Sequence, residues 1–201
     1  IGAEVYSAAQ LKTIQEVIYP GFDMKGPLSD AFKDAHNGDI QPGVYDLEKA
    51  KEELAKSKYA GQKITLVNSY VASLAFEAEV ALLLQSSLEQ IGITLDIKPE
   101  PWNRIVELSS KPETTPASTQ VNISPTYPSP DSMFYNQYHS KASGTWMSME
   151  WLQNAEIDGL IDKVRATTDV NEQNATYKEL QTKIVDLQPD VWAVAPNRRY
   201  A

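Results

Sequence analysis

Residues 63–97 read KITLVNSYVASLAFEAEVALLLQSSLEQIGITLDI, and this stretch decides the fold. Lys63-Ile64-Thr65-Leu66-Val67 is short, β-branched and follows Gly61, which predicts a strand after a turn. Residues 72–90 then read as a helix. Phe76, Val80, Leu84, Leu88 and Ile91 form its apolar stripe, and Gly92 is its C-terminal stop. Ile93-Thr94-Leu95-Asp96-Ile97 alternates with period two and predicts a second strand, broken by Pro99 and Pro101. Strand, helix and strand in this order build a sheet with helices on its faces, so the fold class is α/β.

Toward the N-terminus, residues 7–18 predict a helix with Ser7 as N-cap and Leu11, Ile14, Val17 and Ile18 at helical spacing, ended by Pro20-Gly21. Residues 20–45 hold prolines and glycines with no sustained period. They are expected to form a long irregular connection, either functional or draped over a neighbouring element. Asp46 caps a helix over 47–57 with Leu47, Ala50 and Leu54 on one face. Toward the C-terminus, residues 102–108 predict a short helix, 120–123 a third strand, and 131–138 a helix opened by Pro130. Residues 156–166 read as a helix with Ile157, Leu160, Ile161 and Val164 inward. Residues 171–187 read as another, with Tyr177, Leu180, Ile184 and Leu187 inward. Residues 191–195 predict a last strand. The whole chain, residues 1–201, is expected to be one α/β lobe.

The chain has 201 residues, enough to bury a sizeable core without staples. It has no Cys, which excludes a disulfide scaffold, a thiolate metal site and a Cys nucleophile, and is compatible with an oxidising compartment. Lys and Arg number 18 against 27 Asp and Glu, a net charge of −9. That balance argues against nucleic acid, whose phosphates require clustered cations, and against a polybasic membrane anchor. No apolar run approaches the ~20 residues that span a bilayer. Ile1-Gly2-Ala3-Glu4-Val5-Tyr6 shows neither an initiator Met nor a signal-peptide pattern, so a mature or excised piece of a longer protein is expected.

Catalytic signatures are scarce. The sequence lacks the glycine-rich cofactor loops, the Walker A loop, the GxSxG elbow and HExxH, so no catalytic residue, cofactor or metal is expected. His36 and His139 fall in unrelated loops and are expected at the surface. Asp158 and Asp162 are expected on a solvated helix face. The notable feature is aromatic residues outside periodic elements: Trp102 after a proline-broken strand, Tyr127 between prolines, and Trp146 and Trp151 in an irregular stretch. Aromatics on loops at strand ends commonly line small-molecule clefts in α/β folds. Asn122, Ser124 and Thr126, just past the third predicted strand, would add directional hydrogen bonds. Trp102, Asn122, Ser124, Thr126, Tyr127, Trp146 and Trp151 are therefore the candidate ligand-binding residues. Two other readings stand beside a small-molecule cleft: a hydrolase or transferase domain of α/β type, and a protein–protein interaction module.

Six segments, in order along residues 45–195, resemble the bacterial extracellular solute-binding proteins of the peptide/nickel class, the receptors of ABC importers. YDLEKAKEELA at 45–55 is similar to that family's helix, and LLQSSLEQIGITLDI at 83–97 to its helix and strand. Pro101-Trp102, PSPDSMF at 128–134, NAEIDGLIDKVR at 154–165, and Ala166-Thr167-Thr168-Asp169 with residues 171–184 complete the match. The resemblance implies two α/β lobes that close on a ligand about a hinge, with this chain as the C-terminal lobe and one wall of the cleft. It further implies an N-terminal lobe outside this sequence, a small-molecule solute, a membrane permease as partner, no catalysis, and a periplasmic or extracytoplasmic setting with lipid anchoring. Peptide-binding members carry an Asp for the peptide's ammonium just before the proline turn. Aligned on Pro130, that position falls at or near Thr126, so the solute stays open among peptide, opine, sugar or similar.

Overall fold

The strand that begins with the β-branched run of the quoted stretch pairs on both sides, at Asn68 and Ser69 on the second, and forms the centre of a parallel sheet. The computed structural model describes residues 10–18, 21–41 and 43–196, so Ser7, Pro20 and the sequence start lie outside the described residues. In chain order the elements are α1 (Leu11–Thr13, continued by a π turn over Ile14–Ile18), β1 (Gly21–Asp23), a 3-10 helix (Asp30–Ala35), α2 (Leu47–Lys56), β2 (Ile64–Val71), α3 (Ala75–Glu89), β3 (Ile93–Glu100) and α4 (Trp102–Leu108). There follow β4 (Ser118–Thr119), α5 (Asp131–Tyr138), a 3-10 turn (Ser140–Ala142), α6 (Ala155–Ala166), α7 (Val170–Leu187) and β5 (Val194–Pro196). The three-stranded sheet has the order β3-β2-β4, and β1 pairs antiparallel with β5.

β2 and β3 run parallel in unbroken register from Ile64 opposite Ile93 to Val71 opposite Glu100. That register puts Ile64, Leu66, Ile93 and Leu95 on one face, where they bury against Ala50 of α2 and Leu88 of α3. Asp46 caps α2 by accepting the Lys49 N–H at 2.9 Å. Gly92 takes φ +83°, the left-handed geometry expected where a helix must stop. Pro99 lies inside β3 and does not end it. β3 is an edge strand of the described sheet, and a proline on its free side has no neighbour to which it must donate. The predicted strand at 120–123 is not formed either. The ladder from β2 to β4 closes at Ser69 opposite Thr119, and residues 120–123 leave the sheet to line a cavity.

A second layer is helical. Phe134 and Tyr138 of α5, Ile157, Ile161 and Val164 of α6, and Tyr177, Leu180 and Ile184 of α7 share one core. Asn154 caps α6 by accepting the N–H groups of Glu156 and Ile157, and Asp169 caps α7 through Glu172 N. Leu187, expected inward, is 46% exposed; α7 ends there, and Gln188 turns left-handed at φ +50°. Residues 24–41 lie across α7. Leu28 and Ala35 enter its core, Gln181 Nε2 donates to Ala35 O at 2.8 Å, and Asn37 N donates to Gln181 Oε1 at 3.0 Å.

Candidate ligand cleft

A cavity of about 890 Å³ opens between the outer side of α3, residues 115–123, the 146–153 loop and residues 187–194. Its size falls within the several hundred Å³ usual for small-molecule sites. α3 carries two apolar faces. Leu88 packs against the sheet, whereas Phe76, Val80 and Leu83 line the cavity. The single stripe expected for this helix is thus divided. Its helical period locates apolar residues without saying whether one neighbour or two receives them. A smaller cavity of about 260 Å³ adjoins at Glu77, Gln120, Val121, Asn122 and Trp146, and is closed by Val71, Leu74 and Trp102.

Four of the seven residues named from sequence line these cavities. Trp146 and Asn122 line both, Trp151 the larger and Trp102 the smaller. Trp102 and Trp146 meet edge to face, centroids 5.1 Å apart, a favourable aromatic geometry that leaves Trp102 41% exposed. Trp151 is held by a hydrogen bond from its Nε1 to Thr115 Oγ1 at 2.9 Å and takes φ +51°. The other three lie apart. Ser124, Thr126 and Tyr127 line neither cavity. Tyr127 donates to Asp131, which also pairs with Arg165 at 3.3 Å, at the head of α5.

Other residues on these walls had no signal in sequence. Glu77 and Asn68 are buried, and Glu150 and Asp190 line the larger cavity. Tyr138 Oη donates to Asp190 Oδ2 at 2.9 Å and receives Trp192 Nε1–H at 3.1 Å. Burial pushes the Asp190 carboxyl up to about 6. Burial, and then the nearby Asp190 charge, push Glu150 up to about 8. An isolated acid in a loop looks like any solvated carboxylate until the chain is folded over it.

The histidine expectation is corrected at one position. His139 is 1% exposed, at the junction of α5 and α6. Its Nδ1 accepts Lys141 N–H at 3.1 Å, which leaves the ring proton on Nε2, 3.4 Å from Asp162 Oδ1. Asp158 is not simply solvated, since it accepts both the N–H and the hydroxyl of Ser140. The bonds from Lys141 N–H to His139 and from Ser140 to Asp158 fasten a helix junction away from the cavities.

The family model described as bacterial extracellular solute-binding proteins, family 5 Middle, matches residues 8–145. The oligopeptide-binding protein AppA of Bacillus subtilis is 23% identical over 175 residues, covering 81% of this chain and 32% of that protein. This chain therefore spans about a third of the length of the curated relatives it matches. Among solved structures, the periplasmic binding protein DppA of Helicobacter pylori, in complex with the peptide STSA, superimposes with a TM-score of 0.87 at 22% identity, over 97% of this chain and 38% of that one. AgaA of A. tumefaciens R10, in complex with agropinic acid, superimposes with a TM-score of 0.80 at 20% identity, over 94% of this chain and 38% of that one. These superpositions show the α/β fold of periplasmic binding proteins.

Proposed function

The chain belongs to family 5 of the bacterial extracellular solute-binding proteins, and from that premise we propose that it forms one wall of the solute cleft in the binding component of an ABC importer. The observation that carries this reading is the cavity of about 890 Å³, which joins apolar and aromatic walls to a small set of polar groups. Trp146 and Trp151 offer ring faces to apolar or sugar-like surface, and Asn122 offers an amide for orientation. The work done is capture without chemistry. An opposing lobe closes the cleft by hinge motion, and the loaded receptor delivers its solute to a membrane permease outside the cytoplasm. The solute is small, in the range from peptides to opines that related receptors hold in their structures. Calorimetry on the full-length gene product against peptides, opines and sugars tests the proposal. Micromolar or tighter binding of one class supports it, and no binding by any of them overturns it.

A further inference from the structure

The chain has no Cys and 4 Met, so all of its sulfur is thioether. Met24, Met133, Met147 and Met149 all line the larger cavity. Two of them also belong to the helical layer: Met133 is 9% exposed in its core, and Met24 packs against that core. Met147 and Met149 belong to neither hydrophobic core and lie partly buried on the 146–153 loop. Their side chains serve the wall of the cavity.

The backbone that carries them is anchored. Between the two, Ser148 is 1% exposed and its Oγ donates to Gln137 O at 2.6 Å. Just beyond them, Trp151 Nε1 donates to Thr115 Oγ1 at 2.9 Å. The loop thus presents two flexible, unbranched side chains from a fixed base, and such thioethers repack readily against whatever apolar surface they meet.

Oxidation reverses that property. A methionine sulfur attacks one oxygen of a hydroperoxide; an S–O bond forms and the O–O bond breaks. The proton of the transferred OH passes to the displaced oxygen, which leaves as water or an alcohol. Sulfur is oxidised by two electrons and the peroxide is reduced by two, and the product is a polar sulfoxide. This wall is poor in partners for a new acceptor. Glu77, Glu150 and Asp190 line the same cavity, and among the described residues no Lys, Arg or His lines it. A sulfoxide here holds water that an apolar solute surface must displace without replacing its hydrogen bonds.

We propose that Met147 and Met149 form a redox-sensitive site in the cleft wall: hydroperoxides convert them to sulfoxides, and solute affinity falls until the sulfoxides are reduced. The proposal rests on the solute-binding reading and adds a regulation of that site.

The experiment treats the full-length gene product with hydrogen peroxide and reads oxidation at each methionine by peptide mass mapping. Met147 and Met149 should oxidise severalfold faster than Met133, which is enclosed in the core. Calorimetry before and after treatment uses a library of short peptides that includes STSA, together with agropinic acid and sucrose. With circular dichroism unchanged, the oxidised protein should bind its tightest probe about 10-fold or more weakly. Methionine sulfoxide reductases with a thiol should restore the affinity. The double variant Met147→Leu, Met149→Leu keeps apolar side chains of similar volume without the sulfur. Whatever its starting affinity, peroxide should change that affinity less than twofold. The converse variant, Met24→Leu with Met133→Leu, should lose affinity on oxidation as the wild type does. Affinity unchanged with Met147 and Met149 fully oxidised would overturn the proposal and leave the solute-binding role standing. A loss of the same size in the Met147→Leu, Met149→Leu protein would do the same. Binding of no probe by the untreated protein would overturn both readings.

Discussion

Replacing Glu150 with Gln removes a titrating group that the cavity wall holds in its neutral form. Ser148 Oγ lies 2.6 Å from Gln137 O and 3.0 Å from Glu150 Oε1. A hydroxyl has one proton, and the carbonyl oxygen can only accept it. The contact with Glu150 is therefore a hydrogen bond only when the carboxyl itself carries a proton. Burial and the adjacent Asp190 act in the same direction, moving Glu150 from 4.5 to about 8. The folded state then binds a proton that the unfolded state has released between those two values. Unfolding free energy consequently falls as pH rises through that window, by about 1.4 kcal/mol per pH unit for one proton. From pH 5 to pH 7 the Glu150 contribution amounts to about 3 kcal/mol, and Asp190 adds to the loss below its own value of about 6. Glutamine keeps a donor for Ser148 and does not titrate. Urea unfolding of both proteins at pH 5, 6 and 7, followed by circular dichroism, measures the difference. The variant should gain on the wild type by about 3 kcal/mol between pH 5 and 7. Parallel stability curves would refute the claim that Glu150 is protonated in the fold.

Three further substitutions probe the packing and the cleft. Leu88→Ala empties a fully buried site between α3 and the sheet and should cost about 2–5 kcal/mol, read from the urea midpoint at constant m. Asn154→Ala removes both side-chain bonds that cap α6 and should cost about 1 kcal/mol in the same assay. Trp146→Ala removes the ring that contacts Trp102 and both cavities, and should lower solute affinity at least tenfold in calorimetry with little change in melting temperature.

The sheet and most helices were legible because local rules and tertiary packing agree in them. The alternation at 93–97, the Asp46 cap and the left-handed stop at Gly92 each have one local cause, and each is found in the structure. Elements were misread where the deciding neighbour is remote. Pro99 is compatible with a strand only because that strand is at an edge. Residues 120–123 have strand composition but no partner beyond Thr119. α3 divides its apolar residues between the sheet and the cavity, which a single period cannot reveal. The same distinction runs through the cleft. Aromatics in loops are visible in a sequence because they break the usual association of large apolar residues with periodic elements. Glu77, Asn68, Glu150 and Asp190 are ordinary polar residues whose surroundings come from four separate parts of the chain, so their burial exists only after folding.

Hydrogen–deuterium exchange on the full-length gene product, with and without the solute it binds most tightly, tests the central claim directly. The account predicts that solute slows exchange at residues 115–123 and 146–151, which both line the cavity. A tightly bound solute that leaves both segments unchanged and protects surfaces elsewhere on this chain would contradict it.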